Sequence, residues 1–281
     1  MGLWYTEKQT DNLAISMQVR QNLHRERSPY QDIAVMETEE YGKLLVIDDA
    51  VMLTTADEFV YHELIAHVPM FTHGSVQRAA VIGGGGGGTI RELVRHDSLQ
   101  EAYLLELDER VVRVSQQYLP ELASGLSDPR VRLEFGDGIK RIAEFKSYFD
   151  LVIVDSTDPV GPGVVLFSQE FFKLVRESLR PGGLMVAQTE SPFVNRDLMA
   201  DVRRKIGSVF PQTYVYLGPI PTYPSGLWSF TMGSTGPNPH EVDLEKVAEI
   251  TADWPLRYYT AQIHTAVLTL PPFVQEIYNS K

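Results

Sequence analysis

Between Leu13 and about Thr55, short apolar runs alternate with turn residues. Ile33, Val35 and Glu37 precede Glu39-Glu40-Tyr41-Gly42, then Lys43 to Ile47 and Val51 to Thr54 flank Asp48-Asp49-Ala50. Runs of this length bounded by such turns predict a small antiparallel β domain over residues 1–55. Asp57 stands where a helix cap is expected. The helix it predicts carries Phe59, Leu64, Ile65 and Val68 at helical spacing and stops at Pro69.

After Gly74 the period changes repeatedly between strand and helix. Strands are predicted at Ala79 to Ile82, Ala102 to Leu107, Val131 to Phe135, Leu151 to Val154 and Leu184 to Gln188, the last after a Pro181-Gly182-Gly183 turn. Helices fall between them, starting at Thr89 and Glu109 and spanning Gln169 to Leu179 and Arg196 to Phe210. This rhythm predicts an α/β domain over residues 56–281. Two late strands, near Tyr214 to Leu217 and Leu227 to Met232, predict a hairpin that closes the sheet.

Composition narrows the function classes. A formal net charge of -12 argues against a phosphate-backbone partner, since nucleic-acid binding draws on clustered Lys and Arg, and it suits cationic small molecules. The absence of cysteine rules out disulfides and thiolate chemistry and fits a reducing cytoplasm. Apolar runs are of strand length, so no membrane span is expected.

The chemistry-bearing residues gather at predicted strand ends. Gly83 to Gly88 follows one strand and opens a helix, the context in which a bare backbone can approach a nucleotide closely. Glu106 ends the next strand, about 20 residues on, where a carboxylate can accept both ribose hydroxyls. Asp137, between Gly136 and Gly138, ends the third and suits either an adenine amino group or a helix cap. The fourth ends in Asp155-Ser156-Thr157-Asp158-Pro159-Val160-Gly161-Pro162, two carboxylates on a segment stiffened by prolines. Such a pair could hold a metal, work as acid and base, or receive ammonium groups. His62 and His67, five apart, face different sides of a helix and predict no shared metal site. Finally, Ile220 to Trp228 forms a proline-rich loop carrying Tyr223 and Trp228.

Taken with Leu3-Trp4-Tyr5-Thr6-Glu7, Tyr30-Gln31 and Asp57-Glu58-Phe59-Val60-Tyr61-His62-Glu63, these segments resemble the spermidine synthase family from Trp4 to Tyr278. The resemblance implies a β amino-terminal domain on a Rossmann-like core of the S-adenosylmethionine-dependent methyltransferase type. It implies decarboxylated S-adenosylmethionine as donor, putrescine as the usual acceptor, no metal or tightly held cofactor, and a homodimer or homotetramer. By position, Gln31, Glu106, Asp137 and Gly138 would hold the nucleoside beside Gly83, Gly84, Gly85 and Gly86. His62 would line the donor's amine pocket, while Asp155, Asp158, Tyr61 and Tyr223 would surround the reacting amine. Gln188 and Trp228 would border the acceptor.

A sulfonium already activates the neighbouring methylene, so the protein must place an amine in line and take its proton. An amine with a pKa of about 10.4 arrives charged. Asp158 is the expected base, with Asp155 orienting the amine. One position departs from the family, whose turn reads Gly-Gly-Gly-Asp-Gly-Gly where this chain has Gly86. Loss of that carboxylate removes a charge-assisted bond to the donor's ammonium, typically worth about 1.5 to 3 kcal/mol. Three readings follow: an aminopropyltransferase weakened or re-tuned at the donor, a polyamine N-methyltransferase using intact S-adenosylmethionine, or a binder of nucleosides and polyamines without turnover.

Overall fold

Strand pairing follows chain order in the first part of the protein. β1 (Leu3–Lys8), β2 (Ala14–Arg27), β3 (Asp32–Thr38), β4 (Lys43–Ile47) and β5 (Ala50–Thr54) form a five-stranded antiparallel sheet. The computed structural model describes residues 2–157 and 161–279. Ile33, Val35, Leu45 and Ile47 share one sheet face and pack on Val111, Val114, Leu119 and Leu122. β1 goes beyond the sequence expectation. Leu3 and Trp4 are mostly exposed, so no buried alternation marks that strand in the sequence.

α1 (Glu58–His73) connects the two sheets and corrects two expectations. It does not stop at Pro69 but runs a further turn to Gly74, whose left-handed φ of 76° ends it. Val60, Leu64, Ile65 and Val68 are buried in the main core, and that burial outweighs the hydrogen bond a proline cannot make. Asp57 stands at the cap position but makes no cap bond. Its Oδ1 accepts from Thr54 Oγ1 at 2.6 Å, and its Oδ2 accepts from Thr222 N at 3.0 Å and Oγ1 at 2.7 Å. Asp57 therefore ties the β domain to the 220s loop, a contact that local sequence does not reveal.

The second sheet is seven-stranded. Its elements are β6 (Arg78–Gly83), α2 (Gly88–Leu93), β7 (Glu101–Glu106), α3 (Glu109–Tyr118), β8 (Val131–Phe135), α4 (Gly138–Ala143), β9 (Phe149–Asp155), α5 (Gln169–Ser178), β10 (Leu179–Gln188), α6 (Arg196–Val209), β11 (Gln212–Pro219) and β12 (Leu227–Ser234). The strand order is β11-β12-β10-β9-β6-β7-β8, parallel from β10 to β8 with an antiparallel β11-β12 hairpin at one end. Ala79 to Ile82 and Leu151 to Val154 are buried throughout, as expected of strands covered on both faces. The Pro181-Gly182-Gly183 turn proves to be an irregularity within β10, where the pairing shifts between Leu179 and Leu184.

The carboxyl-terminal helices α7 (Leu244–Thr251), α8 (Ala261–Val267) and α9 (Pro272–Asn279) go beyond the elements the sequence predicted, although Asp243 and Thr260 cap α7 and α8 by accepting from backbone N–H groups. Buried Glu63 of α1 accepts the backbone N–H groups of Arg257, Tyr258 and Tyr259, pinning the chain that leads into α8. Among the described residues no helix is long and apolar enough to cross a membrane.

Candidate active site

The chain leaves β6 in one direction along the sheet and β9 in the other, so a crevice opens at the carboxyl ends of these two neighbours. Gly83 stands opposite Asp155 in the register. The glycine turn lies over that carboxylate. A Cβ on Gly84, whose φ is +71°, would stand 2.8 Å from Asp155 Oδ2, so only a bare backbone fits. Asp155 Oδ1 accepts from the Tyr61 hydroxyl at 2.7 Å, and Oδ2 from Thr89 Oγ1 at 2.6 Å. Burial, reinforced by the Asp155 charge, pushes the Tyr61 hydroxyl well above the usual phenol range. Tyr61 therefore stays protonated and can only donate to Asp155.

Glu106 ends β7 in a buried position. Its Oε2 accepts from Gly85 N and its Oε1 from Asp108 N, each at 3.0 Å. Burial pushes this carboxyl up to about 7, against the pull of those backbone N–H groups. Asp137 caps α4 by accepting from Ile139 N at 3.0 Å and Lys140 N at 3.3 Å, with its Oδ2 left toward solvent and Lys140. Gly138 begins α4 behind it, under Ile82. Gln31 enters from the turn before β3, which is locked to the second domain by Ser28 Oγ donating to Asp108 Oδ2 at 2.5 Å.

The other side of the crevice is aromatic. Tyr61 meets Tyr223 at 5.9 Å between ring centroids, and Tyr223 meets Trp228 at 4.8 Å. Tyr223 donates its hydroxyl to Met52 O at 2.6 Å, so the β domain holds the tyrosine of the 220s loop. Trp228 is buried, and its Nε1 has no partner among the described residues. Gln188 lies beside Asp155 at the end of β10 and donates to Ser156 O at 3.3 Å. His62 follows Tyr61 and rests its ring on the start of α2. A Cβ on Gly88 would come within 2.5 Å of that ring.

Gly86 has a different neighbourhood from the rest of the turn. A Cβ there would meet only Leu53 Cδ2 at 3.3 Å and Leu122 Cδ2 at 3.6 Å. The turn is thus lined by Asp155 at Gly84, Glu106 at Gly85 and His62 at Gly88, with an uncharged gap at Gly86.

The structure brings Tyr61, His62, Gly83 to Gly86, Glu106, Asp155, Gln188, Tyr223 and Trp228 around one crevice, while Asp137 stands at the carboxyl end of β8 on the same sheet edge and Gln31 in the turn held to Asp108. Asp158 lies outside the described residues. Sequence reasoning missed Thr89 as an Asp155 partner, although a hydroxyl just after a glycine turn was a usable signal. It also missed Glu58, whose i,i+4 spacing to His62 on one helix was legible.

Comparison with known proteins agrees with this layout. The description "Spermidine synthase tetramerisation domain" matches residues 3–55, and "Spermine/spermidine synthase domain" matches residues 58–246. The polyamine aminopropyltransferase of Caldicellulosiruptor saccharolyticus is 50% identical over 277 residues, covering 99% of this chain and 98% of that protein. That of Moorella thermoacetica is 48% identical over 98% of this chain and 96% of its own. A crystal structure of a spermidine synthase in complex with the transition-state analogue AdoDATO superposes with a TM-score of 0.95 at 39% identity, covering 98% of this chain and 94% of the other. Spermidine synthase from Thermotoga maritima gives 0.94 at 38%, with the same coverage. Two matched domains in the order of the two sheets, and relatives aligned end to end, place the chain in the spermine/spermidine synthase family, as an alkyl transferase of the polyamine aminopropyltransferase class.

Proposed function

We propose that the chain transfers the aminopropyl group of decarboxylated S-adenosylmethionine to putrescine, releasing spermidine and 5'-methylthioadenosine. The observation that carries this reading is Asp155, held at the switch point by Tyr61 and Thr89 directly beneath the glycine turn. A carboxylate fixed by two donors has lone pairs left for an ammonium, and it lies where the donor's sulfonium arm would leave the nucleoside.

Glu106 accepts the ribose hydroxyls and Asp137 the adenine amino group, with Gln31 and Gly138 completing the nucleoside side. His62 lines the amine end of the donor. Asp155, Tyr61 and Tyr223 orient the acceptor nitrogen, Asp158 takes its proton, and Gln188 and Trp228 border the diamine chain. The nitrogen lone pair forms the new bond to carbon as the carbon–sulfur bond breaks, and the electron pair stays on sulfur as a neutral thioether. Because the sulfonium is itself the activating group, the reaction needs no resident metal or cofactor. The domain matched over residues 3–55, with Leu3 and Trp4 exposed on edge strand β1, supports a homodimer or homotetramer, and the cysteine-free sequence suits a cytoplasmic setting.

The test is to incubate the protein with putrescine and either decarboxylated or intact S-adenosylmethionine and to weigh the products. Spermidine from the decarboxylated donor supports the proposal. Methylated polyamine alone would replace it with the methyltransferase reading that Gly86 permits, and no product from either donor would leave a binding protein.

A further inference from the structure

The turn that carries Gln31 is organised around one hydroxyl. Ser28 Oγ accepts from Tyr30 N and Gln31 N, each at 3.0 Å, and donates to Asp108 Oδ2 at 2.5 Å. A serine hydroxyl has one proton and two lone pairs, so these three bonds use all of it. The Gln31 carbonyl, 3.1 Å from the same oxygen, is the weaker claimant on that proton and already accepts from Ser28 N at 2.9 Å. Asp108 is equally committed. It is buried, and its Oδ1 caps α3 by accepting from Arg110 N at 3.0 Å. Its backbone N–H donates to Glu106 Oε1 at 3.0 Å, while Glu106 Oε2 accepts from Gly85 N at 3.0 Å. One path of hydrogen bonds therefore runs from the Gln31 backbone through Ser28, Asp108 and Glu106 to the glycine turn, crossing between the two domains at Ser28 and Asp108, 80 residues apart.

A second crossing lies close by. Glu26 takes Arg110 Nε on Oε1 at 2.7 Å and Nη2 on Oε2 at 2.8 Å, but this fork is exposed, and an exposed ion pair fixes little. The register of the Gln31 turn therefore falls to the Ser28 hydroxyl. The Gln31 side-chain amide itself makes no hydrogen bond to a described residue, so its backbone is held while its amide is left for a ligand. We propose that Ser28 and Asp108 are positioning residues that hold the Gln31 amide in register with the Glu106 carboxylate, so that the two domains read one nucleoside jointly. This rests on the proposed function. The chemistry of the pair is complementary: a ribose hydroxyl both donates and accepts, the carboxylate can only take its proton, and the amide NH2 can meet its lone pair.

The test is a double-mutant cycle on the full-length protein, read by calorimetric binding of 5'-methylthioadenosine. Ser28→Ala and Gln31→Ala should each weaken binding about tenfold. The double variant should bind no worse than Gln31→Ala alone, because Ser28 acts through that residue. Ser28→Thr, which keeps the hydroxyl, should restore most of the affinity. Arg110→Ala, which cuts only the exposed fork, should bind like the wild type, and the KM for putrescine should stay near wild type in every variant. Losses that multiply in the double variant, a loss in Arg110→Ala as large as that in Ser28→Ala, or a wild type that does not bind 5'-methylthioadenosine would overturn the proposal. If the cycle behaves as expected and the protein turns over neither donor, aminopropyl transfer falls while the joint reading of the nucleoside stands.

Discussion

The Tyr61 hydroxyl donates to Asp155 Oδ1 at 2.7 Å, joining the helix that links the two sheets to the strand end that faces the crevice. The bond closes 94 residues of chain. With Thr89 on the other oxygen, it ties down the Asp155 carboxylate at both oxygens.

Tyr61→Phe keeps the ring contacts with Tyr223 and Phe230 and removes only this donor. A hydrogen bond to a charged group is worth about 1.5 to 3 kcal/mol, so kcat should fall roughly ten- to a hundredfold. Thermal stability should move little, because the ring still fills its place. Steady-state kinetics beside a melting curve separate the two effects; equal losses in both would mean that the hydroxyl serves the fold and not the reaction.

The nucleoside role proposed for Glu106 predicts proton-linked binding. Its carboxyl is raised by burial to about 7 in the free protein, from an ordinary 4.5. A raised acid binds protons more tightly in the folded state, so its contribution to stability is full below about 4.5 and is lost as pH climbs toward 7. Ribose hydroxyls favour the ionised form, so binding 5'-methylthioadenosine near pH 6 should release a proton, and binding at pH 8 should release almost none. Calorimetry in buffers of different ionisation enthalpy reads this directly. Glu106→Gln should abolish the release and weaken binding at pH 8.

Thr222 tests the tie between the domains. Thr222→Val deletes the 2.7 Å donor to buried Asp57 while the backbone N–H remains. The expected loss is about 1 to 2 kcal/mol of stability. Because Tyr223 follows directly and reaches back to Met52, kcat should fall more than a peripheral loop change would cause. Chemical denaturation and kinetics on the same preparation check both parts.

What the sequence made legible was the carboxyl edge of the parallel sheet. Glu106 and Asp155 end strands whose apolar runs are buried on both faces, so pattern alone placed them in the crevice. Asp137 turned out to satisfy the cap geometry that the sequence had left as one of two readings. Partners remote in the chain stayed hidden. Thr89 reaches Asp155 across 66 residues, and Asp57 reaches Thr222 across 165, distances over which no periodicity carries information. The same holds for α1 beyond Pro69, where burial against the sheet overrides a local stop signal.

Gly86 is where a single substitution should add function. Its backbone lies outside the left-handed region that would exclude a side chain, and a Cβ meets only two flexible leucine methyls, Leu53 Cδ2 at 3.3 Å and Leu122 Cδ2 at 3.6 Å. Gly86→Asp should therefore fold with at most a small shift of Leu53. Its carboxylate would enter the uncharged gap between the Glu106 and His62 ends of the turn and give the donor's ammonium a charged partner. A charge-assisted bond of about 1.5 to 3 kcal/mol predicts a donor KM lowered roughly ten- to a hundredfold. The KM for putrescine and the affinity for 5'-methylthioadenosine should stay near wild type, since neither depends on that amine. Intact S-adenosylmethionine, whose carboxylate would face the new charge, should bind more weakly. Competition calorimetry with both donors gives the two shifts together, and a variant that gains affinity for neither or for both would show that the gap at Gly86 does not face the donor's amine.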